Sequence, residues 1–336
     1  MRGRRIVALL GLIAGCTALV AAADRIGYRE RPAGGQDDAW LARHTSFAPD
    51  RDVSVVAPPG GWARPLRVQG GRHVAIDGRD ELIGRIALRQ QTASIHISNV
   101  RIFMTDVGDA IAVASRNGHA PDVTLDNIVV GGVRGTREGV HSDIFQGQGD
   151  IGRLTINDLT GASGYQGIFL KGTAGRAVGS VYLNRVVLSH SGAALGFLLW
   201  FGDGVRKPGD VASPRFPVYL NQVYVMPRPG EDLSRSIYPN KGITDAEGRD
   251  IGAYSTDGGR TWRWPPAANI HGVVISGAPP ANSIGRLIGP GRIRLLFSAT
   301  YGGRYFLEDR SACDELRPLF LRRNKKKWQF SAVHRI

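Results

Sequence analysis

Cysteine is almost missing from this chain: Cys16 and Cys313 are the only two in 336 residues. Cys16 lies inside the apolar stretch at the N-terminus, so removal of that stretch leaves Cys313 alone. An intramolecular disulfide and a cysteine zinc site are then both excluded. Acidic residues are missing from both ends. Residues 1–23 carry Arg2, Arg4 and Arg5 without an acid, and residues 317–336 carry only Lys and Arg as charged groups. The formal net charge of +14 is concentrated there, leaving about +4 for the body, a poor basis for nucleic-acid binding but compatible with an acidic polysaccharide. A fixed repeat period and the L-x-x-L-x-L pattern are missing too, which excludes a leucine-rich repeat.

What the chain does contain is glycine, 45 residues, set between short runs of Val, Ile and Leu, with 42% hydrophobic residues overall. That is too apolar for disorder and favours strands over helices. The start, MRGRRIVALLGLIAGCTALVAAAD, reads as an export signal: a basic segment, an apolar run from Ile6 to Val20, then small residues. AAA at 21–23 offers a cleavage site, giving a periplasmic or extracellular protein. IAGC, ending at Cys16, offers the alternative of a lipoprotein signal and a lipid tether.

Five segments share one pattern: SIHISNVRI (94–102), DVTLDNIVV (122–130), RLTINDLTG (153–161), SVYLNRVVL (180–188) and PVYLNQVYV (217–225). Each alternates apolar and polar residues around a central Asn or Asp. They align on Ile97, Leu125, Ile156, Leu183 and Leu220, roughly 27 to 37 residues apart. RHVAIDGRD (72–80) is a looser earlier copy. A unit of this length holds two or three short strands, fewer than a propeller blade. The expected fold is all-β: a single-stranded right-handed parallel β-helix with coils stacked about 4.8 Å apart. Residues 24–66 read as an irregular leader and cap, 67–228 as the coils, 229–300 as an extension and 301–336 as a basic tail, helical or disordered. Asn99, Asn127, Asn184 and Asn221 are expected to form turn ladders, because Asn tolerates left-handed backbone and its amide can bond along the stack. YSTDGGRTWRW (254–264) predicts a β-hairpin appendage in which Asp257 ties down the turn and Trp262 packs beneath it. It resembles the Asp-box hairpin of sialidases.

The coil pattern resembles the pectin-lyase-like right-handed β-helix superfamily over roughly residues 67–290. The stretch 138–170, with HSDIFQ followed one coil later by YQGIFL, is similar to secreted bacterial β-helix proteins. The resemblance implies a polysaccharide partner. It leaves the reaction open, since the superfamily holds lyases, hydrolases, epimerases and non-catalytic binders.

EGVHSDIFQGQGD (138–150) is the densest polar cluster. Period-2 alternation puts Val140, Ser142 and Ile144 on the core side, and His141, Asp143 and Phe145 on the solvent side. Matching Ile144 with Ile111, Ile168 and Phe197 brings Tyr165, Phe169, Lys171 and Trp200 onto the same outer face. β-Elimination on an acidic glycan needs a base and a cation for the substrate carboxylate. His141, oriented by Asp143, or Lys171 supplies the base, Lys171 or Arg137 the charge, and Tyr165 the proton for the leaving oxygen. Phe169 and Trp200 offer rings for sugars, while Gln146 and Gln166 contact ligand or bond coil to coil. Hydrolysis needs clustered carboxylates instead, for which Glu138, Asp143 and Asp150 are the candidates. His190 reads as a turn residue. No cofactor is expected. Calcium held by Asp143 and Asp150 is the alternative, without a calcium-loop spacing. The expectation is an exported monomer that binds an acidic polysaccharide and, if catalytic, cleaves it by β-elimination in preference to hydrolysis or epimerisation. The alternatives are a structural envelope β-helix and a glycan-binding module without turnover.

Overall fold

The computed structural model describes residues 45–280, except 63, 105, 116–117, 137–138, 171–177, 192–195 and 203–213, and two short strands at 295–297 and 305–307. The segment read as an export signal and most of that read as a basic tail lie outside the described residues. Among the described residues no helix is long and apolar enough to cross a membrane.

The structure is all-β. In chain order the first strands are β1 (Ser46–Phe47), β2 (Val53–Val56), β3 (Leu66–Gly70), β4 (His73–Asp77), β5 (Leu82–Ile83), β6 (Ile86–Arg89), β7 (Ser94–Phe103), β8 (Ile111–Ala114), β9 (Asp122–Val133) and β10 (Asp143–Gly147). There follow β11 (Ile151–Ser163), β12 (Gln166–Leu170), β13 (Val178–His190), β14 (Leu199–Phe201), β15 (Val218–Met226), β16 (Ile237–Tyr238), β17 (Thr261–Trp262), β18 (Ile270–His271), β19 (Val274–Ser276), β20 (Leu295–Phe297) and β21 (Tyr305–Leu307). The first sheet has the order β1-β3-β6-β8-β10-β12-β14-β16, and the second runs β2-β4-β7-β9-β11-β13-β15-β19, with β17 beyond β19. The chain therefore passes back and forth between two sheets. Neighbouring strands are parallel, such as β8, β10 and β12 in the first sheet and β9, β11 and β13 in the second. Parallel partners cannot be joined by a hairpin, so the opposite sheet supplies each crossover.

The repeats align as their sequence pattern requires. Ile76, Ile97, Leu125, Ile156, Leu183 and Leu220 form one row across the second sheet. Facing them, Leu66, Ile86, Ile111, Phe145, Ile168, Leu199 and Ile237 form a row across the first. The members of this second row are all buried in one continuous core. Burying each such side chain stabilises the fold by about 1.5–3 kcal/mol. Parallel pairing extends beyond 67–228 at both ends. β1 and β2 bring in residues read as a leader, and β16, β18 and β19 bring in residues read as an extension. These outer strands are short and lack the shared motif, so the repeat pattern did not reach them.

Each long strand of the second sheet is bent at one left-handed residue. The corner row is Asn99, Asn127, Asp158, Arg185 and Gln222, with φ of 53° to 56°. Asn184 and Asn221, expected in that row, stand one position earlier, level with Asp126 and Asn157. Two ladders result. At the corner, Asn127 Nδ2 donates to Asn99 Oδ1 at 2.7 Å. In the earlier row, Asn157 Nδ2 donates to Asp126 Oδ1 at 2.6 Å and Asn184 Nδ2 to Asn157 Oδ1 at 2.9 Å. Arg185 accepts the left-handed backbone, which costs roughly 1–2 kcal/mol. Its guanidinium grips the Asp158 carboxylate through two bonds, of 2.7 and 2.8 Å.

The hairpin around Asp257 ends the second sheet, with β17 antiparallel to β19. The Asp257 carboxylate accepts bonds from Thr261 N–H, Thr261 Oγ and Ser255 Oγ. The two Thr261 bonds foremost pull its pKa down to about 2. Trp262 is buried and its Nε1 donates to Gly259 O. Near the chain end β20 and β21 pair antiparallel, so part of the segment read as a tail is strand.

Candidate functional site

The start of β10 departs from simple alternation. Ile144 and Phe145 are consecutive, and both are buried in the core. A methyl group added at Gly161, on the opposite sheet, would lie 2.6 Å from Ile144 Cδ1, so Ile144 reaches across the core. Phe145, not Ile144, pairs with Ile111 and Ile168, and Leu199, not Phe197, continues that row. Ala110–Ile111 and Leu198–Leu199 repeat the double insertion in neighbouring coils. Two adjacent core residues defeat a period-2 reading, and Phe145 moves from the expected outer face into the core.

This register sets Asp143 beside two partners. Its Cα partner on β12 is Gln166. On the other side its backbone N–H donates to Asp109 Oδ1 at 3.1 Å. Asp143 was expected to face solvent, yet it is 0% exposed. Gln166 is also buried. Neither Asp143 carboxyl oxygen accepts a hydrogen bond from a described donor, and Gln166 Oε1 accepts none either. Asp109 is half-buried, and its Oδ2 accepts from Gln148 Nε2 at 3.3 Å. The same Nε2 donates to Gln146 Oε1.

Both carboxyl groups hold protons more tightly than an ordinary aspartate. Burial is the main cause for Asp109, whose pKa rises to about 6 against the bond from the Asp143 N–H and the charges of Arg85 and His141. Burial raises Asp143 well above its usual range, and the Asp109 charge adds to the rise. Like charges this close cannot both ionise easily, so the pair favours one shared proton.

The remaining expected residues divide. His141 is exposed, and its ring lies 5.3 Å from the buried ring of Tyr165. Gln146, Phe169, Trp200 and Tyr238 form one row on the outside of the first sheet. Phe169 and Trp200 meet edge to face at 4.8 Å, as the shared outer face implied. Trp200 is only 8% exposed, so its ring is mostly covered. Arg137, Glu138 and Lys171 lie outside the described residues. Asp143 and Asp150 stand beyond opposite ends of the β10 interior, which separates the suggested calcium pair. Among the described residues no three His, Cys, Asp or Glu side chains are grouped to hold a metal. His190 ends β13 in a buried position, where desolvation lowers its pKa to about 4.

A cleft of about 280 Å³ opens at the C-terminal ends of β3, β6 and β8, the other end of these strands from Asp109, and is lined by Gln69, Arg89, Gln90, Ala114 and Gln148. Gln148 thus joins the cleft to Asp109. Arg72, Arg101, Arg185, Arg228 and Arg249 are each paired with a carboxylate. Arg89, exposed at the end of β6, makes no ion pair among the described residues. No protein-family model, no curated protein and no solved structure matches the chain.

Asp109 and Gln148 were missed in the sequence. A signal existed: GDAIAVA (108–114) and SDIFQGQ (142–148) align without a gap when Asp109 is set on Asp143. Aligning the isoleucines instead shifted the match by one residue.

Proposed function

We propose that the two sheets are faces of an exported right-handed parallel β-helix of the pectin-lyase-like kind, and that it binds an acidic polysaccharide and cleaves it by acid–base hydrolysis. Parallel crossovers within one sheet are right-handed in about 98% of cases, which supports the hand. The observation that carries the reaction is the Asp109–Asp143 pair. A carboxyl with a pKa of about 6 is still partly protonated near neutral pH, and Asp109 is half-buried and tied through Gln148 to the cleft. In this reading Asp109 gives its proton to the glycosidic oxygen as the C–O bond breaks. Water adds to the anomeric carbon and passes its own proton to His141. Arg89 meets a sugar carboxylate in the cleft, and the Gln69, Gln90 and Gln148 amides meet hydroxyls.

The test is incubation of the purified protein with a panel of neutral and acidic polysaccharides, reading both reducing ends and unsaturated-product absorbance. New reducing ends without unsaturated product are expected. Asp109→Asn should lower the rate by about 10²–10⁴-fold. Unsaturated product would assign elimination instead, with His141 as base and Tyr165 as acid, and binding without product would assign a glycan-binding module.

A further inference from the structure

The Asp143–Gln166 pair, as the amide is oriented, leaves three buried oxygens facing a shortage of donors. Asp143 and Gln166 are register partners on adjacent parallel strands, so their side chains start about 4.8 Å apart. Both are essentially closed to water, at 0% and 2% exposure. The oxygens left without a donor are both Asp143 carboxyl oxygens and Gln166 Oε1. An ionised Asp143 would add two acceptors to the Gln166 oxygen and no donor. Leaving a buried acceptor unsatisfied costs roughly 1–3 kcal/mol, and more when it is charged. A proton on Asp143 supplies the pair with the donor it lacks.

We infer that Asp143 is a neutral carboxylic acid in the folded protein, donating its hydroxyl to Gln166 Oε1, and that this neutral pair positions Asp109 as the one carboxyl of the cluster that exchanges protons with substrate. The charged and titratable groups facing the pair agree. Asp109 is the carboxylate that acts on Asp143, and its negative charge favours the protonated form. Arg85 and, when protonated, His141 act on Asp109, keeping that group the more acidic of the two. Asp143 is then a positioning residue. Its N–H fixes Asp109 Oδ1, and the two aspartate side chains also meet, which raises the pKa of Asp143 further. The role of Asp109 toward substrate rests on the hydrolytic reading above, whereas the protonation of Asp143 does not.

Infrared difference spectroscopy of the full chain near neutral pH tests the protonation directly, without substrate. The wild type should show the C=O stretch of a protonated carboxylic acid. Asp143→Asn should remove that band while keeping the fold, because its amide N–H replaces the hydroxyl donor to Gln166. Gln166→Leu should shift the band to higher frequency by removing the acceptor. Asp109→Asn should leave the band in place. Thermal unfolding separates a positioning role from simple packing. Asp143→Asn should melt close to the wild type, and Asp143→Leu well below it, since leucine offers Gln166 no donor. Absence of the acid band in the wild type overturns the inference, as does its loss in Asp109→Asn but not in Asp143→Asn. A surviving band together with no polysaccharide cleavage would sink the hydrolytic reading alone.

Discussion

Replacing Asp109 by Asn should change how stability depends on pH more than it changes stability at low pH. The folded protein holds the Asp109 proton until about pH 6, against 3.8 for an ordinary aspartate. A folded pKa above the unfolded one makes a contribution that is complete below the unfolded value and declines as pH rises through the folded one. The wild type should therefore lose stability between about pH 4 and pH 6 at up to about 1.4 kcal/mol per pH unit, about 3 kcal/mol in all. That figure is an upper bound, because Asp109 is partly solvated and its ionisation depends on that of Asp143. Asn cannot ionise, yet its Oδ1 still accepts the Asp143 N–H. Urea unfolding of both proteins at steps from about pH 4 to about pH 8 reads the difference directly. The variant should equal or fall slightly below the wild type at the acid end. It should overtake the wild type toward neutral pH, with a flatter profile. Parallel profiles across the window would refute the argument, because they would show that Asp109 titrates alike in the folded and unfolded chains.

At the corner row, Asn127→Gly should be milder than Asn127→Ala, because φ of 56° suits glycine, whereas at Asn184, outside that row, the order should reverse. Chemical denaturation of the four variants should show differences of about 1 kcal/mol. Asp257→Ala should leave the coils intact and loosen the hairpin, seen as faster amide exchange at Thr261, whose N–H loses its acceptor. The low Asp257 pKa gives the opposite sign to Asp109: its contribution is complete above the ordinary value of 3.8 and fades as pH falls through about 2.

The sequence made the second sheet legible and the first only partly so. In β7, β9, β11, β13 and β15 one apolar residue alternates with one polar residue up to the corner, so Ile97, Leu125, Ile156, Leu183 and Leu220 fell into register from pattern alone. The first-sheet strands are short, and several begin with two consecutive core residues, as at Ile144–Phe145. A strand of five residues offers too few alternations to outvote one irregular pair. The outer aromatics survived this error because Phe169 and Trp200 lie past the irregular start, in the regular part of their strands. Asp143 did not survive it, since its burial depends on what stands beside it in the coils before and after.

The carboxyl pair also follows from the architecture. Stacked parallel strands bring equivalent positions in successive coils to about 4.8 Å, so an aspartate repeated at one position must meet its own copy. At about 5 Å and an effective dielectric of about 20, two full charges repel by about 3 kcal/mol, equal to roughly two pKa units. Burial adds to this, and for Asp109 and Asp143 it is the larger cause. A stack can relieve such a meeting in two ways. Asp158 shows the first: its neighbour in the next coil is Arg185, and the charge is neutralised by a cation. Asp126 shows a variant of the same solution, with His96 and Asn157 as donors and a lowered pKa. At Asp109 the neighbouring Arg85 only partly offsets the burial, and the residue beyond Asp143 is Gln166, an amide whose oxygen needs a donor. The remaining relief is to keep a proton. The row that carries Asp158 and Arg185 is built to hold paired charge, whereas the row that carries Asp109, Asp143 and Gln166 is built to hold a proton, which is the property an acid catalyst requires.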